Sequence, residues 1–162
     1  MMEELLIKKL SFTKRPITLP AEYRPMYKIA LIVMILKYSC RAETSNLLKL
    51  HLLSWALASQ KNMAELREYV TSNFKSDFSV WGIEPALNRA LQLAVAENIC
   101  DIVKGKSYKL TQKGNIFFEM INADTELFDI EKSFLTLIGK NTITDSRITS
   151  MTQKWNLFYV EN

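Results

Sequence analysis

The chain has 162 residues, enough for one domain or one domain with a long extension, and 48% of them are apolar, enough to bury a sizeable core. A net charge of +4 and a pI near 9.0 permit an acidic partner or nucleic acid without demanding either. The longest apolar run, Ile29 to Leu36, is about eight residues against the roughly 20 of a membrane span, and the charged stretch Met1 to Leu10 is no signal peptide, so a cytoplasmic protein with no membrane partner is expected.

In chain order, Met1 to Leu10 suits a short amphipathic helix or a strand. Ser11 to Pro20 reads as extended, because Pro16 and Pro20 forbid a regular helix and Thr13, Ile17, Thr18 and Leu19 favour open backbone. Residues 1–22 thus form an arm that either wraps its own domain or reaches a partner, with Ile17 and Leu19 as candidate docking residues. A helix is expected from Met26 to Tyr38, opened by Arg24-Pro25 and apolar on every side from Ile29 to Leu36, hence central or shared with another subunit. A second helix is expected from Glu43 or Thr44 to Ser59. It contains His51, the only histidine, which lacks acidic or cysteine neighbours at i±3 or i±4 and reads as a helix-packed or partly exposed residue and not a metal ligand. A third runs from Lys61 to Asn73 with Asn62 as a candidate cap, followed by an aromatic connection holding Phe74, Phe78 and Trp81. Cys40 and Cys100 each end an apolar segment and read as reduced, partly buried thiols.

From Ile83 onward the pattern becomes helix, hairpin, helix. Glu84-Pro85 suits the first turn of a helix carrying Leu87, Ala90, Leu91, Ala94 and Val95 at helical spacing. Lys104-Gly105-Lys106 separates two runs that pair as strands, Ile99 to Val103 and Ser107 to Leu110, and Thr111 caps a helix reaching Asn122. A further helix should restart at Asp124-Thr125 and end before Gly139. A short one, Thr144 to Thr152, leads to an apolar tail in which Trp155, Leu157 and Phe158 are candidate docking residues.

The run Tyr108-Lys109-Leu110-Thr111-Gln112-Lys113-Gly114, with Phe117 or Phe118 behind it, resembles the exit from the wing of a winged-helix domain. The resemblance implies a mainly α fold: a winged-helix core at residues 23–122, helices plus a small β-hairpin wing, between the N-terminal arm and a C-terminal helical extension at residues 123–162. Winged helices serve both as DNA readers and as docking modules. Lys104, Lys106, Lys109 and Lys113 make a basic wing that suits phosphate contact, and equally a solvated tip. The preceding helix offers Arg89, with Asn88 and Gln92, to base edges, then mostly alanine, leucine and valine, a face better suited to protein.

Catalytic signatures are missing: no nucleotide-binding glycine loop, no His-Glu-x-x-His, no Cys-x-x-Cys and no Gly-x-Ser-x-Gly occurs. The sequence therefore reads as a non-enzyme with no metal, cofactor or small-molecule substrate. Tyr23-Arg24-Pro25, the run from Leu48 to Leu57 and the wing exit together resemble the middle component of bacterial ABC-three-component systems, related to Lamassu-type anti-phage defence, across residues 23–121. That resemblance implies a non-catalytic subunit between an ABC- or SMC-like ATPase and a nuclease-like effector, with DNA reached through the complex. A homodimeric winged-helix transcriptional regulator is the alternative.

Overall fold

Eight consecutive apolar residues can be satisfied in a helix only if it is covered on all sides, and α1 (Pro25–Ser39) is covered in that way. Ile29 to Leu36 are all buried, and α2, α4, α5 and α6 pack around them. The computed structural model describes residues 24–76 and 82–161, with the backbone alone from 154 onward. Its helices are α1, α2 (Leu47–Leu57), α3 (Gln60–Thr71), α4 (Pro85–Ala96), α5 (Gln112–Ala123), α6 (Asp129–Ile138) and α7 (Asp145–Glu161). Three short strands, β1 (Thr44–Asn46), β2 (Cys100–Val103) and β3 (Ser107–Leu110), form one antiparallel sheet in the order β1-β3-β2. The protein is therefore mainly helical with a small antiparallel sheet. Among the described residues no helix is long and apolar enough to cross a membrane.

The second predicted helix begins later than its apolar pattern suggests. After α1 the chain makes a tight turn at Arg41–Glu43, with Ala42 at φ 52° and Glu43 at φ 54°, and then runs as β1 before α2 starts. Thr44, Ser45 and Asn46 pair with Lys109, Tyr108 and Ser107, so this strand exists because a partner more than sixty residues away supplies its ladder. Asn46 serves twice, as the last strand residue and as the cap of α2, its side chain accepting from the Lys49 N–H at 2.8 Å. The cap of α3 is Ser59 and not Asn62: the Ser59 hydroxyl accepts the Asn62 N–H, and the Asn62 amide donates to the Trp55 carbonyl at 2.8 Å, tying α3 back to α2.

The helix expected to restart at Asp124 starts at Asp129. Asp124 accepts from the N–H groups of Glu126 and Leu127 and so closes a turn, and Phe128 then takes a left-handed conformation (φ 57°) before α6. Gly139, at φ 73°, ends α6 as expected. Phe134, Leu135 and Ile138 bury against the same core, and the Ser39 hydroxyl donates to the Leu135 carbonyl at 2.8 Å, joining the end of α1 to α6. The short helix expected at Thr144 to Thr152 and the tail beyond it are one continuous helix, α7. Its first turns are anchored by buried Ile148 and Met151 and by Arg147, whose guanidinium lies 4.2 Å from the centre of the Phe74 ring.

Candidate functional site

The hairpin is built by local rules. Lys104 and Gly105 both take positive φ (54° and 70°), and the Lys106 N–H donates to the Val103 carbonyl at 3.3 Å, closing a turn within the three-residue loop 104–106 that joins the paired Val103 and Ser107. In register, Cys100 faces Leu110, Asp101 faces Lys109, Ile102 faces Tyr108 and Val103 faces Ser107. Alternation then puts Cys100, Leu110, Ile102 and Tyr108 on the core side and Asp101 and Lys109 on the outer side. Cys100 and Leu110 are buried, whereas Ile102, one step further out, is 51% exposed.

Of the predicted contact residues, Lys104, Lys106 and Lys109 are exposed on the hairpin and Arg89 is exposed on α4, while Lys113 is half-buried in the first turn of α5. Lys104 and Lys106 flank Gly105 at the tip and carry no acidic neighbour in register. Lys109 sits on the sheet between Thr44 and Asp101, so its charge is partly offset by the opposing carboxylate. Arg89 stands about two turns back from the end of α4, in an exposed stripe with Pro85, Gln92 and Ala96. Asn88, the third residue offered to base edges, is turned inward: its side-chain oxygen lies 2.9 Å from His51 Nε2. Ile17 and Leu19 lie outside the described residues. Trp155, Leu157 and Phe158 fall within the backbone run of α7, and their side chains are likewise outside the described part of the chain.

The exit from the hairpin has a structural explanation at Thr111 and Gly114. The Thr111 N–H donates to the Ile99 carbonyl, and the Thr111 hydroxyl accepts from the Gly114 N–H at 3.0 Å. Gly114 is needed because a Cβ there would collide with the Ile99 carbonyl oxygen and lie 2.5 Å from Leu110 Cδ1. Asn98, left-handed at φ 60°, lets the Ile99 N–H reach the Ala94 carbonyl at 2.8 Å, closing α4 and turning the chain into β2.

The core also buries the charged and polar side chains Lys28, Lys49, His51 and Ser54, and of these the sequence reading anticipated packing for His51 alone. Lys28 is 2% exposed and its amine touches both oxygens of Glu84, at 2.9 and 3.1 Å, with the Ser54 hydroxyl at 3.4 Å. Glu84 is the cap residue of α4, yet its carboxylate makes no cap bond and turns to Lys28. The open cap is served by His51 on α2, whose Nδ1 accepts the Glu84 N–H at 3.1 Å. That bond puts the ring proton on Nε2, which donates to Asn88. Lys49, also buried, donates to the Ser39 carbonyl at 2.7 Å, a cation on the C-terminal end of α1. Burial holds its amine below the usual lysine range, with Cys40 and Asp145 opposing the shift and Arg41 adding to it. The signal in the sequence was the spacing Lys49, His51, Ser54 inside an otherwise apolar helix. Cys40 and Cys100 are free and buried, and burial, helped by Asp101, pushes the Cys100 thiol up to about 12.

Burial also lowers the proton affinity of His51, and Lys28 lowers it further, while the Asn88 bond and Glu84 oppose the shift. A histidine held below its ordinary 6.5 is bound neutral in the folded state, so its stabilising contribution is complete above pH 6.5 and declines as pH falls toward the folded value. Urea unfolding at pH 7.5 and 5.5 should therefore show a loss of stability in the parent that His51→Gln does not share. An equal loss in both removes His51 as its cause.

Among the described residues no three His, Cys, Asp or Glu side chains come together to hold a metal ion. Comparison with protein-family models, with curated proteins and with solved structures gave no match.

Proposed function

We propose that this chain is a non-catalytic winged-helix subunit of a multi-protein anti-phage defence assembly. It links an ABC- or SMC-like ATPase to a nuclease-like effector and adds a basic hairpin to the assembly's grip on DNA. The observation that carries the reading is connectivity: a helix, a short strand, further helices and then a two-stranded hairpin, with β3 between β1 and β2 and a lysine tip projecting beyond the buried pair Cys100–Leu110. α3 and the connection after it are additional to that minimal order. The assembly itself is inferred from the resemblance across residues 23–121.

An accessory role is better supported than base reading. With Asn88 engaged by His51, the exposed stripe of α4 offers Arg89 and Gln92 alone, flanked by half-buried Leu93 and Val95. The hairpin lysines suit phosphates, which carry no sequence information. A homodimeric transcriptional regulator would need more than this pair.

Co-expression with the neighbouring genes tests the proposal: those genes should encode an ATPase and a nuclease-like effector, and the three products should elute together. On that assembly, Lys104→Ala with Lys106→Ala should weaken duplex binding equally for all sequences and flatten its log–log salt dependence by about 2, at roughly 0.9 for each phosphate left without its lysine. A chain that elutes alone and monomeric from its co-expressed neighbours sinks the assembly reading. An unchanged salt dependence sinks the wing's part in it.

A further inference from the structure

The hairpin lysines are continued by two exposed cations from other parts of the chain, Arg41 and Lys140. The Arg41 Nε donates to Asn141 Oδ1 at 2.6 Å, across 100 residues of sequence, and so sets Lys140, the residue before Asn141, beside the turn that follows α1. Lys140 acts on the proton affinities of both Cys40 and Glu43, as a cation close to that turn does. The same turn reaches the sheet. The Thr44 N–H donates to the Arg41 carbonyl, and Thr44 lies directly opposite Lys109. The Cα atoms of Arg41 and Thr44 are therefore less than about 7 Å apart, and those of Thr44 and Lys109 about 5 Å apart. Lys106 stands three residues back along the hairpin, about 10 Å away. From the tip to Arg41 the row is thus no longer than about 22 Å, the rise of about six base pairs at roughly 3.4 Å each.

The carboxylates near this row do not cancel it. Glu43 is drawn back to Lys37 on α1 at 2.8 Å and to Asn115 on α5 at 3.0 Å, and the Lys37 bond holds its carboxyl below the usual range. Asp101 stands opposite Lys109, and Asp145 accepts from the Asn46 amide at 3.1 Å. Arg41, Lys104, Lys106, Lys109 and Lys140 therefore face two carboxylates that no lysine has already engaged. Arg41 bonds a neutral amide, and among the described residues neither it nor Lys140 lies within ion-pair distance of a carboxylate. The turn between Arg41 and Thr44 also runs against backbone preference, with Ala42 and Glu43 both left-handed at φ 52° and 54°. Its effect is to withdraw the one carboxylate and leave the arginine at the surface.

We infer that Arg41 and Lys140 are phosphate contacts, so that a DNA duplex lies along the sheet from the hairpin tip across β1 to the loop between α6 and α7. The inference rests on the reading of the hairpin as a DNA contact and extends it to two residues outside the hairpin. It also gives the C-terminal extension, through Lys140, a part in binding. Contacts of this kind hold the backbone and carry no base sequence.

Salt titration of the full chain on a labelled duplex of about 20 base pairs tests it. Arg41→Gln with Lys140→Ala should flatten the log–log salt dependence by about 2, at roughly 0.9 for each lost contact, equally for all sequences. Lys140→Ala alone, at an exposed loop position, should flatten it by about 1. Arg41→Lys, which keeps the charge, should retain the parent slope. Lys61→Ala with Arg67→Ala removes as much charge from exposed positions on α3 and should leave the slope unchanged. If Lys104→Ala with Lys106→Ala flattens the slope and the Arg41 and Lys140 variants do not, the hairpin reading stands and this inference falls. If neither pair has an effect, both fall. An equal change in the Lys61 and Arg67 variant assigns the effect to net charge and overturns the inference, as does a parent chain with no duplex binding at about 50 mM salt.

Discussion

Gly114→Ala is expected to destabilise the protein by about 3 kcal/mol or more, a larger penalty than an ordinary helix glycine carries, since alanine usually improves a helix interior. The reason is local and rigid. The added methyl would meet the Ile99 carbonyl oxygen, which is fixed by the Thr111 N–H, and Leu110 Cδ1, which is packed in the core. Relief requires α5 to move off the base of the hairpin, which breaks the Thr111 cap and uncovers Phe117, buried one turn further along. Thermal unfolding followed by circular dichroism should show a midpoint lowered by about 6–12 °C, at roughly 2–4 °C per kcal/mol for a chain of this size. Gly105→Ala provides the contrast: it has open space around it and loses only its positive φ, so its cost should be near 1 kcal/mol. A Gly114→Ala midpoint within about 2 °C of the parent would mean that α5 can move off β2 and β3 at almost no cost.

Lys28 and Glu84 should respond unequally to substitution. Replacing Glu84 with alanine leaves an ammonium that is 2% exposed without its carboxylate, and breaking such a pair from the accessible side costs about 2–3 kcal/mol once the 31% exposure of Glu84 is allowed for. Replacing Lys28 with methionine removes the buried charge and keeps the volume, and Glu84 can turn to water, so the change should lie within about 1 kcal/mol of zero. The double variant should recover most of what Glu84→Ala loses. Urea midpoints for the four proteins give the coupling directly. Equal losses in both single variants would contradict the view that the pair aligns the start of α4 against α1 at little net gain. Through His51 the same corner also holds the cap of α4, so the helix that leads into the hairpin is aimed by two buried polar side chains, Lys28 and His51, on two other helices.

Much of the chain was legible without coordinates because its rules are local. The apolar run Ile29 to Leu36 could only be a buried helix. Leu87, Ala90, Leu91 and Ala94 could only be one face of another. Lys104-Gly105 marked the hairpin through the backbone angles that its turn demands, and Thr111 marked the start of α5 through its cap. Those signals depend on residues within a few positions of one another. The hairpin lysines were legible for the same reason.

The remainder was decided by residues distant in sequence. Thr44-Ser45-Asn46 has no strand pattern of its own and becomes β1 because β3 lies beside it. Asp124 has a helix-cap side chain but uses it to close a turn, and α6 starts only where Phe128 can pack on Tyr27. Asn88 looked free to read a base until the fold set it against His51, and Glu84 looked like a helix-dipole carboxylate until Lys28 arrived from α1. By itself the sequence determined the central stretches of the helices, though not where the second and sixth begin, and it determined where the hairpin turns and where the positive charge projects, since backbone angles and apolar periodicity are short-range properties. Only the tertiary structure decided which polar groups are left to act. Whether a side chain faces water or a buried partner depends on desolvation and on the packing of helices far apart in the chain, such as α1 against α2 and α4, which no local pattern records.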